Sequence, residues 1–200
     1  MNIRRKTSHK VVYKTPKPNS LSEDYVEFNP LDYFDDTNLQ KIYIKKSFVI
    51  AIMEWVIESK TQLPVSEVGG FILGNYWGNE IIDYEISLEH FVPSTNIKGN
   101  TPVRLEFGTG AMVELMEAQE KLPEYKLLGW FHTHPGHQPY LSTQDLTIHE
   151  NFFTENYQIA IVLDSLTEEY LSVIVCRKRN GEINKSHGQR YWFAWRNLLN

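Results

Sequence analysis

The chain has 200 residues, of which 42% are hydrophobic and 13% aromatic, so it can build a packed core and is not a wholly disordered protein. Its formal net charge of -5 argues against a general nucleic-acid binder, whose surface would be basic. Its apolar runs stay short of the ~20 residues that a membrane-spanning helix needs, so we expect a globular domain that binds neither nucleic acid nor membrane.

The first 40 residues carry their charges in two separate blocks. Residues 1–22 contain six Lys or Arg and no acid, whereas residues 23–36 contain six acids and no base. Such blocks around prolines are typical of an extended, solvated segment, so we predict a charged N-terminal arm over residues 1–40. The alternative is a segment that docks on a partner, because the acidic block is also rich in large apolar side chains. Its anchors would be Tyr25, Phe28, Leu31, Tyr33 and Phe34.

Regular patterns begin at about residue 42, and they predict a domain over residues 41–180. Segments with apolar side chains at helical spacing are predicted as helices: Lys46–Thr61, Thr109–Leu122 and Ser142–Thr154. Apolar or alternating segments are predicted as strands: Glu67–Tyr76, Glu80–Val92, Lys126–His134, Tyr157–Asp164 and Tyr170–Lys178. Residues 93–108 are polar and contain Pro and Gly, which predicts a loop. The aromatic residues 181–200 are expected to pack on the core as a short strand or helix.

This mixed order of strands and helices predicts an α/β or α+β sandwich. The apolar face of the first helix is expected to consist of Ile52, Met53, Val56 and Ile57. Trp130, in the third predicted strand, is expected to pack in the core and to point away from the two histidines that follow it.

The most informative stretch is residues 129–145, GWFHTHPGHQPYLSTQD. His132 and His134 stand at the end of a predicted strand, where alternation places both imidazoles on one face. A Pro-Gly pair ends the strand, and Asp145 lies in the first turn of the next helix, from which its carboxylate can point back. Two imidazoles and a carboxylate are ligands that zinc accepts, with a fourth position left for water, as in a catalytic site.

Some of these residues fit a second interpretation. Ser142-x-x-Asp145 is also a helix-capping pattern, and both interpretations can hold for the same residues. His149, one helical turn after Asp145, is a candidate for a hydrogen bond that orients the acid, the alternative being a packing or surface role. His137, in the loop, is expected to be exposed.

The stretch resembles the motif of the JAMM (MPN+) metalloprotease family, a glutamate followed by His-x-His, ten residues and an aspartate, with a serine three residues before the aspartate. The matching positions are Glu67, His132, His134, Ser142 and Asp145. The flanking sequences EVGGFILG, Gly129-Trp130 and Leu141-Ser142 match as well. The similarity runs from about residue 42 to residue 178, so the N-terminal arm and the aromatic C-terminus lie outside it.

This resemblance implies an MPN/JAB domain, a mixed β-sheet flanked by helices and related in architecture to the cytidine deaminases. It implies one zinc ion per chain, held by His132, His134 and Asp145. It also implies that Glu67 is the general base and that Ser142 donates a hydrogen bond to the developing oxyanion. The implied substrate is a ubiquitin-like protein or its conjugates. The enzyme would bind the extended Gly-rich tail of this substrate in a groove, where the tail adds as a strand beside the site.

We therefore expect a deubiquitinase-like isopeptidase or processing peptidase. The HENFF segment after the motif resembles bacterial members of the family, some of which act beside activating and conjugating enzymes of ubiquitination-like pathways. The alternatives are a peptidase that trims the tail of a small β-grasp sulfur-carrier protein, and a non-catalytic scaffold, which the complete motif argues against. The lone Cys176 cannot form a disulfide within the chain, which fits a reducing compartment, so a cytoplasmic location is expected.

Overall fold

The computed structural model describes residues 23–61, 63–79, 81–95, 97–101, 104–185 and 188–199, which contain both strands and helices. The strands are β1 (Tyr25–Phe28), β2 (Leu39–Lys45), β3 (Gly69–Asn79), β4 (Asp83–Pro93), β5 (Ile97–Thr101), β6 (Arg104–Phe107), β7 (Lys126–Thr133), β8 (Ile159–Leu163), β9 (Leu171–Val175) and β10 (Phe193–Ala194). The α-helices are α1 (Lys46–Ser59), α2 (Thr109–Lys121) and α3 (Thr143–Phe152). Short 3-10 helices cover Pro30–Asp32, Gln189–Tyr191 and Trp195–Leu199.

One mixed sheet forms the centre of the fold, with the strand order β1-β2-β4-β3-β7-β8-β9-β10. β2 is parallel to β4 and β7 is parallel to β8, while the other neighbours run antiparallel. α1 packs against β2 and β4, and α2 against β4. This α+β arrangement of a mixed sheet flanked by helices confirms the predicted fold class, and it places β7 between an antiparallel and a parallel neighbour.

A glycine allows β7 to run close to β8. Gly129 has a φ of +143°, and a Cβ atom built on it would lie 1.8 Å from the carbonyl oxygen of Ile159. Only glycine fits such an approach of two backbones. The pairing of β7 with β3 is irregular at the same point, and β7 then continues regularly towards the histidines.

The N-terminal boundary of the domain differs from the expected arm over residues 1–40. β1 pairs with β2, and β2 pairs with β4, so residues 25–28 and 39–40 belong to the sheet. Phe28 and Phe34, two of the anchors that the alternative interpretation would dock on a partner, are buried within this domain instead. Local charge suggested a solvated segment, whereas the pairing that orders it involves strands further along the chain. The basic block, residues 1–22, lies outside the described residues.

The two edges of the sheet approach each other. The ring centroid of Phe28 in β1 lies 5.0 Å from that of Phe193 in β10, and Phe34 stacks on Tyr191 at 5.5 Å. Because β1 and β10 stand at opposite ends of the strand order, the sheet must curl strongly, and aromatic side chains cover both edges. Trp195 is fully buried and packs against α1, so the aromatic C-terminal segment lies on the core as 3-10 helices and a two-residue strand.

The helices bury faces that differ in part from the prediction. α1 buries Phe48, Val49, Ile52 and Val56, while Ile57 is 54% exposed. At 100° per residue, Ile57 lies about 120° around the helix from a stripe centred on Ile52 and Val56. None of the helices in the described ranges combines the length and hydropathy needed to cross a lipid bilayer.

The polarity of residues 93–108 predicts a loop, but only part of this segment is one. They contain an antiparallel ribbon of β5 and β6, separate from the main sheet and paired from Ile97↔Phe107 to Thr101↔Arg104. The segments IKGNT and RLEF show too little alternation for a strand to be recognised in the sequence. The ribbon leads directly into α2.

A buried carboxylate ties β1 to the rest of the sheet. Glu89 of β4 accepts hydrogen bonds from the Tyr25 hydroxyl at 2.9 Å and from the Ser87 hydroxyl at 2.5 Å, and Lys45 Nζ lies 3.4 Å away. Burial and the bond to Glu89 raise the pKa of Tyr25, so its phenol stays protonated and donates. Donors from β1, β2 and β4 therefore meet on one acid.

Tyr25→Phe removes one of these donors and should lower the free energy of unfolding by about 1 kcal/mol. Tyr33→Phe is the matched control, because the Tyr33 ring also packs on Phe28 but its hydroxyl has no hydrogen-bond partner among the described residues. The control should lose less than about 0.5 kcal/mol. Urea unfolding measures both, and equal losses would contradict the role assigned to Glu89.

Candidate metal centre

Two imidazoles project from the end of β7. His132 lies in the strand and His134 follows it directly, and both are buried with their Nε2 atoms 3.1 Å apart. The backbone here is bonded on both sides, since the N–H of Thr133 donates to the Val68 carbonyl and that of His134 to the Leu163 carbonyl. The two side chains therefore share one face, as their spacing predicts, and a fully bonded strand end holds them.

A carboxylate reaches the same place from the first turn of α3. Ser142 caps this helix: its Oγ accepts from the Asp145 N–H at 3.2 Å, and its own N–H donates to Asp145 Oδ2 at 2.8 Å. The same Oδ2 lies 3.4 Å from Nε2 of both His132 and His134. Capping and a place beside the histidines are therefore compatible in one pair of residues.

These three side chains fit a metal ion by type and by position. The candidate ligand atoms of His132, His134 and Asp145 all lie within 4.8 Å of one another, and all three residues are buried. Two imidazole nitrogens and one carboxylate oxygen suit zinc, and three protein ligands are the number found in catalytic zinc sites. His134 Nδ1 is bonded to the carbonyl of Gln138 at 3.0 Å, which leaves Nε2 to face the centre.

The electrostatics of the centre also suit a cation. Burial by itself would raise the pKa of Asp145, but the two imidazoles and Ser142 hold it well below its usual range, so the acid is ionised. Burial lowers the pKa of His132. Burial acts on His134 in the same direction, but the contact with Asp145 outweighs it and raises the pKa. A negative charge thus faces ring nitrogens in a buried space.

Glu67 lies beside this group. It was predicted to open the strand, but it stands two residues before β3 begins. Its Oε1 is 3.8 Å from His134 Nε2. Its neighbour Val68 holds the segment against β7, donating to Thr133 Oγ1 at 3.0 Å and accepting from the Thr133 N–H at 2.8 Å. Burial raises the pKa of Glu67 to about 7, with His134 opposing and Asp145 adding to the rise. Such a group can take up and release a proton near neutral pH.

Trp130 points to the opposite side of the strand from the prediction, and His149 has the packing role that was one of its two predicted alternatives. Trp130 is buried on the histidine face, and its ring stacks on that of His132 with centroids 4.4 Å apart. Alternation requires this, because Trp130 precedes His132 by two residues. His149 accepts a hydrogen bond from the Trp130 indole at 3.1 Å, and burial lowers its pKa to about 3, so the ring is neutral. Among the described contacts, His149 therefore orients Trp130 instead of Asp145.

Sequence reasoning missed two residues that support the loop after β7. The carbonyl of Gln138 accepts from His134, and the N–H of Gln138 donates to Asp164 Oδ2 at 3.0 Å. Asp164 is 3% exposed and directly follows β8. Asp164 ends the predicted strand Tyr157–Asp164, but only the parallel pairing of this strand with β7 brings the acid to the same edge of the sheet as the histidines. His137, in the same loop, is exposed as expected.

A polar cavity of about 470 Å³ opens beside the centre. It is lined by His137, Gln138, Tyr140, Gly188, Gln189 and Trp192. The Tyr140 ring lies 5.2 Å from that of His134, which places the cavity next to a candidate ligand. The C-terminal segment therefore forms one wall of this cavity through Gly188, Gln189 and Trp192.

Comparisons with known proteins agree with this arrangement. The sequence model of a family described as JAB1/Mov34/MPN/PAD-1 ubiquitin protease matches residues 37–157, which is more than half of the chain. The solution structure of protein DSY2949 from Desulfitobacterium hafniense is similar with a TM-score of 0.53 and 17% identity, covering 72% of this chain and 88% of that one. At this identity the likeness shows the fold alone. A comparison with curated protein sequences finds no match.

His132→Ala removes one candidate ligand and should reduce the zinc content from about one ion per chain to nearly none, because two ligands hold zinc weakly. His137→Ala removes an exposed imidazole three residues from His134 and should leave the zinc content unchanged. Elemental analysis after dialysis measures both. Zinc retained by His132→Ala, or lost equally from His137→Ala, would contradict the assignment.

The bond between Trp130 and His149 should appear as a coupling energy. Trp130→Phe and His149→Leu each leave one buried partner unpaired and should each cost about 1–3 kcal/mol of unfolding free energy. The double variant should lose about 1 kcal/mol less than the sum, because it leaves no orphan. Urea unfolding of the metal-free proteins gives the values, and additive losses would show that the two residues act separately.

Proposed function

The chain belongs to the JAB1/Mov34/MPN/PAD-1 ubiquitin protease family, and on this premise we propose that it is a zinc-dependent isopeptidase or processing peptidase that acts on a ubiquitin-like protein. The observation that carries the proposal is the convergence of Asp145 Oδ2 with Nε2 of His132 and His134, with Glu67 beside them. Burying two imidazoles and two carboxyl groups together is unfavourable unless they are paired or coordinate a metal, and three of them have the types and the closeness of zinc ligands. This argues against a non-catalytic scaffold.

His132, His134 and Asp145 would hold the zinc ion through the atoms that already face one another. When bound, zinc supplies Lewis-acid chemistry, which makes water a nucleophile near neutral pH and polarises a carbonyl group. The capping box fixes the carboxylate, and the Gln138 carbonyl fixes one imidazole, before any metal is present. Little rearrangement of these ligands is then needed on binding.

Glu67 is placed to move the proton. In the proposed hydrolysis, a water oxygen bonds to the scissile carbonyl carbon and the bond from that carbon to nitrogen breaks. Glu67 takes the proton that the water gives up and passes it to the departing amine. Its burial beside His134 and its pKa of about 7 support both transfers.

Ser142 is placed to donate a hydrogen bond to the oxyanion. Its Oγ accepts from the Asp145 N–H, which leaves its own hydroxyl proton to donate. The residue is half-buried, so a carbonyl that reaches the centre can approach it. A donor of this kind stabilises negative charge that develops only in the transition state.

The proposed substrate is the narrow, extended tail of a ubiquitin-like protein or of its conjugates. A buried centre admits such a tail more easily than a folded surface, and the polar cavity beside His134 offers amide and aromatic groups to a peptide backbone. The β5–β6 ribbon offers strand edges to which an extended peptide can add. Activating and conjugating enzymes of the same pathway are the further partners that we propose.

Glu67→Gln should keep its zinc and lose at least about 100-fold in kcat, because the amide cannot carry the proton. Glu89→Gln changes a buried glutamate outside the centre and should keep its kcat while folded. Zinc content and initial rates are measured on the same preparations. A Glu67→Gln rate close to that of the unmodified protein would exclude Glu67 as the base.

Substitutions at Ser142 separate its hydroxyl from its capping role. Ser142→Gly keeps most of the cap energy but has no hydroxyl, so kcat should fall about 100- to 1000-fold with little loss of stability. Ser142→Thr retains a hydroxyl and should keep most of the activity. Rates that follow thermal stability instead of the presence of a hydroxyl would leave Ser142 as a cap alone.

The substrate class is tested with a β-grasp modifier that ends in Gly-Gly, either fused at its C-terminus to a tag or joined to a lysine side chain of a target. An isopeptidase cleaves the lysine conjugate, and 1,10-phenanthroline stops the reaction. A tail-trimming peptidase releases only short C-terminal extensions. A scaffold binds no stoichiometric zinc and cleaves neither. Zinc-loaded protein that cleaves none of a panel of such modifiers would contradict the proposal.

A further inference from the structure

The two candidate histidine ligands are held from behind in different ways. His134 Nδ1 donates to the carbonyl oxygen of Gln138 at 3.0 Å. His132 Nδ1 is buried and has no hydrogen-bond partner among the described residues, and its ring is stacked on Trp130. The orientation of His134 therefore depends on where one backbone carbonyl points.

The backbone of Gln138 adopts an unusual conformation to present that carbonyl. Its φ is +69°, in the left-handed region that residues other than glycine, asparagine and aspartate rarely enter. The Gln138 side chain is exposed, so side-chain packing does not impose this conformation. A strained backbone that persists beside a functional centre indicates that surrounding contacts determine it.

Asp164 supplies those contacts. It is 3% exposed, and both of its oxygens accept hydrogen bonds from backbone N–H groups. Oδ2 accepts from Gln138 at 3.0 Å. Oδ1 accepts from Gly136, in the same loop, at 2.8 Å and from Leu166, two residues after Asp164, at 3.1 Å. Asp164 is itself fixed, because its own N–H donates to the Leu171 carbonyl at 2.8 Å. A buried carboxylate thus connects the end of β8 to the loop that follows β7.

We propose that Asp164 is a positioning residue for the metal centre: it holds Gln138 in the left-handed conformation, and the Gln138 carbonyl fixes the ring of His134 with Nε2 facing the centre. The proposal rests on the metal site of the proposed function but not on any peptidase activity. Outer partners of histidine ligands commonly change metal affinity 10- to 100-fold when they are removed. Asp164 would act one step further out, through a backbone.

Asp164→Asn tests the Gln138 bond selectively. Asparagine has one acceptor oxygen where aspartate has two, and keeping the bonds to Gly136 and Leu166 turns its NH2 group towards the Gln138 N–H. We expect zinc affinity, measured by competition with a chromogenic chelator, to fall about 10- to 100-fold. Glu89→Gln, another buried carboxylate that accepts several hydrogen bonds, is the matched control and should keep the affinity of the unmodified protein.

A second variant tests the path through Gln138. Glycine enters the left-handed region at no steric cost, so Gln138→Gly should restore most of the zinc affinity in the Asp164→Asn background. In the unmodified background, Gln138→Asn should match glutamine, whereas Gln138→Val, which disfavours positive φ, should weaken zinc binding about 10-fold. Because residue 138 is exposed, these substitutions change the backbone preference without opening a cavity. The Asn and Val variants in the unmodified background therefore test the role of the Gln138 conformation even where Asp164→Asn fails to fold.

The metal-free protein provides an independent measurement. At alkaline pH, where the His134 ring is neutral although Asp145 raises its pKa, long-range proton–nitrogen NMR should show the Nδ1–H form in the unmodified protein and a mixture of both neutral forms in Asp164→Asn. Unchanged zinc affinity in Asp164→Asn and Gln138→Val, or no rescue by glycine, would overturn the proposal. Zinc affinities that follow the predicted order in a protein that cleaves no substrate would support positioning and contradict only the peptidase function.

Discussion

The bonding of β7 at its C-terminal end is the constraint on which the site depends. Thr133 and His134 donate their N–H groups to the segment before β3 and to β8 respectively, so the backbone stays paired where the strand ends. This pairing lowers the cost of burying polar side chains there, because the N–H groups of Thr133 and His134 already have hydrogen-bond partners. The same two contacts bring Glu67 from one side and Asp164 from the other, so a single strand end collects residues from three parts of the chain.

Helix α3 shows how local and tertiary requirements coincide. Its buried residues are Asp145 and His149, so the side that faces the sheet is polar where a structural helix would be apolar. Asp145 Oδ2 accepts the backbone N–H of Ser142 at the start of the helix, and the same oxygen faces both imidazoles. A substitution of Asp145 would therefore disturb the helix end and the centre at once, whereas Ser142 can be varied so that the two effects separate.

The sequence was sufficient for the fold class and for the group at residues 132–145, because strand alternation and helix capping are local rules. It failed where long-range pairing decides. The acidic segment that contains β1 has the composition of a solvated arm, and it is ordered by β2, by Glu89 of β4 and by the C-terminal aromatics. The error at Trp130 is local instead: it was expected to point away from the histidines, although its spacing of two residues from His132 requires the same face. Asp164 could not be linked to Gln138 without the parallel pairing of β7 and β8.

The different supports of the two imidazoles have consequences for how the centre tolerates change. His132 lies inside the sheet, where stacking on Trp130 and the bond from Trp130 to His149 restrict its ring through core packing. His134 lies just beyond the strand, where packing is less complete, and it needs a directional hydrogen bond from the loop. Core packing resists local opening, while a loop opens more readily. The buried Asp164 carboxylate at the base of that loop opposes this opening, because both of its oxygens accept hydrogen bonds from backbone N–H groups.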